Sequence, residues 1–407
     1  MRYLATALSL IFFLISQSYA EPLLKSGDRV TFLGGTFIER MQIHGHVEAE
    51  IRCRMGDDIR FRNLGWAGDN VLGESRAVFG DVKNGMERLL GDMKLTNPTV
   101  IIICYGGNEA HAGIKGIEQF KSNLQMLTAN LDEFSARYIF LAPRPYENLG
   151  PPLPTPQTYN KDLKQYRDAI KHHAASHHSH FIDLGTLTPL PNEESVSDKP
   201  DKTLWINQDH SGLTSNGVHL TSEGYRRLAS SFCDALNIPL EDIQINPGGK
   251  STGVSVVAAK SDGNHLAIEV TPNQTTLGQI AMSPGPPGIS ANLTIDNLRT
   301  GKYRVTVHDI LLGTFSQGDL AKGVEIRVPI SRKRIVDLRD AIVQKNMMFF
   351  HRHRPQNETY LFLFRKHEQG NNASEIPKFD PIVEDYDRRI HRLSKPVAFT
   401  LSVTPAK

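Results

Sequence analysis

Through residues 28–236, continuous apolar runs alternate with stretches that are apolar on one side only. "RVTFLGG" is apolar and β-branched, and "TFIERMQIHGHVEAEIRCRM" after it carries helical spacing. "IRFRNLG" reads as the next strand, followed after a loop by a helical 82–94. "PTVIIICYGG" is apolar throughout, the pattern of a strand buried on both faces. A helical 114–134, the strand "RYIFLAPRP", a proline-rich loop "GPPLPTPQ", a helical 158–177 and the strand "HFIDLG" complete the series. "TSEGYRRLASSFCDAL" is a closing helix, opened by a turn from Thr221 to Gly224. This βαβα order predicts an α/β fold of the doubly wound kind, a five-stranded parallel sheet with helices on both faces. Ligands in such folds bind beyond the carboxyl ends of the strands.

The pattern changes after Pro239. Residues 250–330 hold short alternating runs, "GVSVVAAK", "HLAIEVTP", "ANLTIDNL", "KYRVTVHD" and "GVEIRVPI", separated by Gly, Pro, Asn and Asp. They predict an antiparallel β module of sandwich type. Residues 331–407 return to a charged helical composition and end on a strand-like "PVAFTLSV", available to pair back with that module. The first twenty residues stand apart. Arg2, an apolar run and Ser18-Tyr19-Ala20 form the pattern of a secretory signal peptide, which places the α/β unit at 21–240 in a mature chain beginning at Glu21. The expected location is secreted or periplasmic, with no membrane span in the mature chain.

Charge and cysteine content narrow the chemistry. The formal net charge of +2 leaves no footprint for nucleic acid. Three cysteines, Cys53, Cys104 and Cys233, are too few and odd in number for a disulfide framework. Cys104 lies inside an apolar run and reads as a small buried hydrophobe. No Cys/His spacing suggests zinc; the pairs His172-His173 and His177-His178 read as a solvated helix end, and no cofactor is expected.

Four short segments fall at strand ends or before the closing helix: Gly34-Gly35-Thr36, Gly65-Trp66-Ala67-Gly68-Asp69-Asn70, Gly106-Gly107-Asn108-Glu109, and Ser215-Asn216-Gly217-Val218-His219. A doubly wound sheet brings all four to one edge. They offer a hydroxyl, a glycine N–H, a side-chain amide and an imidazole, the parts acyl transfer requires. Taken singly, each has a plainer reading. Thr36 fits an N-cap, with Thr36-x-x-Glu39 as a capping box. Gly68 fits a turn, Asn108 a bridge between loops, and His219 a satisfied surface histidine.

Order and spacing of the four segments resemble the SGNH (GDSL) hydrolase superfamily over residues 28–236. The resemblance implies a flavodoxin-like sheet of strand order 2-1-3-4-5, Thr36 as nucleophile, Gly68 and Asn108 as oxyanion donors, and His219 as base, with Asn216 standing where the family has Asp. It also implies an ester substrate, a small molecule or a polysaccharide. Two positions depart from the pattern. Threonine stands for serine, and its methyl stiffens χ1. Asn216 cannot carry charge; its side-chain oxygen is expected to orient the histidine instead, with Asp183 and Asp209 as candidates lacking the motif spacing. The wider pattern "FLGGTFIER…RNLGWAGDN…GESRA…YGGNEA…LAPRPYENLGPPLP…NGVHLT" resembles a secreted SGNH-like subgroup of planctomycete-type bacteria, in which threonine at the nucleophile position is common and an Asp stands where this chain has Ser215. The segment "RPQNETYLFLFRKHEQGNN" resembles part of that subgroup and suits a sugar-facing or cleft-capping surface, or else a salt-bridged helical hairpin on the back. The expected function is a secreted esterase or carbohydrate O-deacetylase; the competing expectation is a non-catalytic carbohydrate-binding or scaffold protein on the same fold.

Overall fold

A computed structural model describes residues 21–55, 58–189, 212–262, 265–273, 288–329 and 331–406. The leader expected over residues 1–20 and the candidate Asp209 lie outside the described residues. Among the described residues, no helix is long and apolar enough to cross a membrane.

The strands β1 (Arg29–Gly34), β2 (Arg60–Gly65), β3 (Val100–Cys104), β4 (Arg137–Ala142) and β5 (His180–Asp183) form a sheet in the order β2-β1-β3-β4-β5. Every pair in it is parallel, as the alternating pattern predicts. The central strand shows why its run is apolar throughout. Side chains alternate across a strand, so Val100, Ile102 and Cys104 enter one core while Ile101 and Ile103 enter the other. The first core is closed by helices α1 (Thr36–His44), α2 (His46–Met55) and α6 (Ser222–Ala235). The second is closed by α3 (Val82–Thr96), α4 (Ile117–Leu131) and α5 (Gln157–Ser176). The helical stretch expected over 36–55 is two helices. Gly45 takes the left-handed conformation at φ 67° and ends α1, its N–H reaching the Met41 carbonyl.

The seat of α1 is set by two residues of β2. A Cβ on Gly65 would stand 2.2 Å from the backbone nitrogen of Glu39, so only glycine lets the helix lie this close to the strand. Asn63, buried, donates from Nδ2 to the Ile38 carbonyl at 2.8 Å and accepts the Gly65 N–H at 2.8 Å.

Downstream, β7 (Val254–Asp262), β8 (His265–Pro272), β10 (Lys302–Val307), β11 (Ile310–Ser316) and β13 (Phe399–Pro405) form an antiparallel sheet in the order β11-β10-β13-β8-β7. The terminal strand therefore does return to this module. A second sheet, β12-β9-β6, joins β6 (Gln244–Ile245), β9 (Gly288–Leu293) and β12 (Val324–Pro329). One pair departs from the antiparallel expectation: β6 runs parallel to β9. Alternate residues of both sheets, among them Ile268, Val270, Ile289, Leu293, Val305, Val328 and Leu401, share one apolar core.

Two long helices, α7 (Arg332–His353) and α8 (Phe379–Ser394), pack against each other and α7 lies on α1, α2 and β2. Buried Lys345 donates to Glu48 at 2.5 Å and to the Phe61 carbonyl of the edge strand at 3.2 Å. Arg62 pairs with Asp387 at 2.7 Å. Part of this segment's charge thus forms an interior ionic seam, while Lys333, Lys378 and Arg388 remain on the exposed face.

Candidate active site

Thr36 is the first residue of α1, one place inside the N-cap, which is Gly35 and makes no side-chain cap. The capping box suggested by Thr36 and Glu39 is not formed. Glu39 pairs instead with Arg354 at 3.2 Å. The half-buried Thr36 side chain faces the second strand-end segment, and its Oγ1 accepts the Gly68 N–H at 3.0 Å. Its own N–H is one of those a helix start leaves without an intrahelical partner.

Gly68 has φ +71°, a left-handed conformation that turns its N–H toward Thr36. The loop behind it is held by a buried ion pair, Arg76 Nε to Asp69 Oδ2 at 2.7 Å, and by the Tyr105 hydroxyl, which donates to the same oxygen at 2.9 Å. Arg76 also donates to the Leu64 carbonyl at 2.7 Å and lies over the Trp66 ring.

Asn108 donates from Nδ2 to the Gly68 carbonyl at 3.0 Å, which fixes the second loop against the third and leaves the amide's other N–H. Its neighbour Glu109 accepts the Gly106 N–H at 2.8 Å and the Val71 N–H at 2.9 Å. Burial raises the Glu109 pKa against these backbone donors.

His219 is half-buried, and burial, aided by the charge of Arg40, lowers its pKa and keeps the ring neutral. Its loop is closed by Asn216, whose Oδ1 accepts the N–H groups of Val218 at 3.1 Å and His219 at 2.9 Å. The oxygen expected to orient the imidazole is therefore occupied by backbone. The Asn216 nitrogen faces the ring, 3.4 Å from Nδ1. Ser215 Oγ reaches the His219 carbonyl at 3.4 Å, not the ring. Asp183 is turned away, pairing with Arg167 and capping the Gly185 N–H at 2.9 Å. Glu147 anchors the loop from outside: its N–H donates to the Gly217 carbonyl at 2.8 Å, and its carboxylate accepts from Thr214 at 2.5 Å.

Thr36, Gly68, Asn108 and His219 all line one cleft of about 200 Å³ at the strand ends. Asn216 does not line it and acts on it through the His219 loop. Among the described residues, no hydrogen bond joins Thr36 to His219. The far wall is aromatic: Tyr146 and Tyr159 stack at 3.9 Å, and Tyr159 donates to the Gly107 carbonyl at 2.7 Å. The 354–369 segment contributes no lining residue. It packs behind the second loop, where Arg88 pairs with Glu358 and Phe364 meets Phe79 edge-on.

Sequence reasoning did not single out Asp69, Arg76, Tyr105, Glu109, Glu147 or Arg144 as parts of this site. Asp69 and Glu109 stand inside quoted segments, and their acidic side chains in apolar surroundings were the available signal. Glu147 and Arg144 come from the loop after β4, which belongs to the wider subgroup pattern but to none of the four strand-end segments.

The sequence matches the model of the GDSL-like Lipase/Acylhydrolase family over residues 44–227. That span includes Gly68, Asn108, Asn216 and His219 and begins after Thr36. None of the curated proteins compared matches the chain. Among solved structures, a gut microbial diltiazem-metabolizing enzyme superposes with a TM-score of 0.66 at 16% identity, covering 95% of this chain and 99% of its own. A catalytic mutant of an acetylxylan esterase from Geobacillus stearothermophilus gives a TM-score of 0.35 at 17% identity, covering 52% of this chain and 95% of its own. At 16% identity the first of these likenesses is one of fold.

Proposed function

We propose that this chain is an exported ester hydrolase that transfers a short acyl group from a carbohydrate or small-molecule ester to Thr36. The observation that carries this reading is the convergence of Thr36, Gly68, Asn108 and His219 on one cleft. Its small volume, below the roughly 300–1,000 Å³ of pockets for drug-sized ligands, suits an acetyl-sized group rather than a long acyl chain. Thr36 Oγ1 attacks the ester carbonyl while His219 Nε2 takes its proton. The carbonyl oxygen becomes an oxyanion. The Gly68 N–H, released from Oγ1, the second Asn108 N–H and the Thr36 N–H at the helix start are the donors for it. Collapse of the tetrahedral intermediate breaks the bond to the alcohol, which leaves with the proton held by His219. Water then repeats the sequence on the acyl-threonine.

A panel of acetylated sugars and 4-nitrophenyl esters with Thr36→Ser, Thr36→Ala and His219→Ala tests this. Thr36→Ser keeps or raises turnover, because it retains the hydroxyl and removes the methyl. Thr36→Ala and His219→Ala abolish it to a similar extent, since nucleophile and base act as one unit. Full activity in Thr36→Ala ends the reading.

The second reading, a non-catalytic carbohydrate-binding or scaffold protein, has one observation in its favour. The Asn216 amide facing His219 Nδ1 selects the ring tautomer in which Nε2 carries the proton, and that tautomer cannot accept one from Thr36.

A further inference from the structure

Arg144 follows β4 in the cleft wall and is 6% exposed. Its Nε donates to Thr188 at 3.3 Å, while both terminal nitrogens are buried and have no hydrogen-bond partner. The groups whose charge or dipole acts on it are already engaged elsewhere. The Glu147 carboxylate accepts from Thr214, and the Tyr225 hydroxyl donates to the Phe37 carbonyl at 2.7 Å. Among the described residues, no carboxylate forms an ion pair with Arg144. A guanidinium stays charged, and a buried charge without a partner is costly to the fold. Buried polar groups are almost always paired, so four unpaired N–H groups in the wall of a cleft point to a group that arrives with the ligand. The planar fork matches a carboxylate with two parallel hydrogen bonds.

We propose that Arg144 anchors a carboxylate on the substrate, so that this cleft takes esters whose alcohol part is anionic, as in an acylated sugar acid. The proposal rests on the ester-hydrolase reading above and adds the substrate class to it. Arg144 then discriminates by charge within the same cleft in which Thr36 and His219 act. A neutral ester of the same shape leaves the guanidinium unpaired and is rejected for that reason.

The test compares 4-acetoxybenzoate with its methyl ester, two substrates that differ by one charge, on the mature chain. The wild type is expected to favour the carboxylate in kcat/KM by about 10- to 100-fold, most of it in KM. Arg144→Met brings that ratio close to one, and Arg144→Lys keeps part of it. Calorimetric titration with 4-hydroxybenzoate gives a readout independent of turnover, binding the wild type and not Arg144→Met. The methionine variant melts at or above the wild type, because an unpaired buried charge has been removed. An equal ratio in the wild type and Arg144→Met, or absence of 4-hydroxybenzoate binding by the wild type, overturns the proposal. If neither ester is hydrolysed but the carboxylate still binds through Arg144, the hydrolase reading falls and the anion site stands.

Discussion

The side-chain nitrogen of Asn216 lies 3.4 Å from Nδ1 of His219, held there because the same side chain's oxygen accepts two backbone N–H groups. The amide cannot be turned over without losing both. Asn216→Asp keeps an oxygen on the backbone and offers a second one to Nδ1. The ring then carries its proton on Nδ1 and frees Nε2 for Thr36. We expect kcat to rise by roughly 10- to 10³-fold, within the factor of about 10⁴ that the reverse change costs a serine-protease triad. The acid limb of the pH profile should move upward with the His219 pKa. Unchanged or lower turnover would falsify the assignment of His219 as the base.

Asn108 is expected to act twice, holding the Gly68 loop and donating to the oxyanion. Asn108→Ala should lower kcat by roughly 10²–10³, the usual effect of removing one such donor. Steady-state kinetics on any cleaved ester check this, and an unchanged kcat removes Asn108 from the mechanism.

Gly65→Ala tests the seat of the nucleophile helix. The new methyl would meet the Glu39 nitrogen at 2.2 Å and backbone atoms of Ile38 and Glu39 at 2.6 Å, where only movement of α1 relieves it. Overpacking of this kind costs about 1–3 kcal/mol, and against rigid backbone the upper end is expected. Thermal melting and kcat should fall together, since Thr36 rides on the displaced helix. A melting temperature equal to that of the wild type would show that α1 does not depend on this contact.

Five histidines set the pH response of stability. Burial lowers the pKa of His44, His46 and His173 to about 4, and lowers those of His219 and His353 as well. In the unfolded chain such groups titrate near 6.5. Below that value the unfolded state takes up protons that the folded state refuses, so stability rises with pH across this window. The melting temperature should therefore hold near pH 7, fall as pH drops through about 6.5, and keep falling toward 4. Carboxylates lowered in the fold, such as Glu223 at about 2, give up their contribution at lower pH. In activity, the depressed His219 pKa places the acid limb of kcat/KM below 6.5. Glu50 and Glu109, raised by burial, add an opposing slope just above the ordinary carboxylate range, so the check compares the wild type with His46→Gln: a pH dependence left unchanged by that substitution contradicts the burial of the ring.

The sheet was legible in the sequence because parallel strands buried on both faces are apolar at every position, as in Val100–Cys104, and the helices between them are not. The four strand-end segments were legible for a related reason. Glycines, an amide and a histidine placed just past such runs must lie at one edge once the strands are parallel. What those residues do to one another was not legible. Whether Thr36 caps its helix depends on which residue the helix begins at, and the close approach of α1 to Gly65 is a tertiary contact. Which end of the Asn216 amide faces His219 is decided by two backbone N–H groups in the folded loop. Arg144 lies in none of the four strand-end segments. Its meaning comes from burial and from the absence of a partner, both properties of the packed chain. The charged run near the C-terminus reads alike as a sugar-facing surface or as a back-side hairpin. Only packing put Glu358 against Arg88 and kept the segment out of the cleft, because composition records that charges are present and only the fold decides which of them meet.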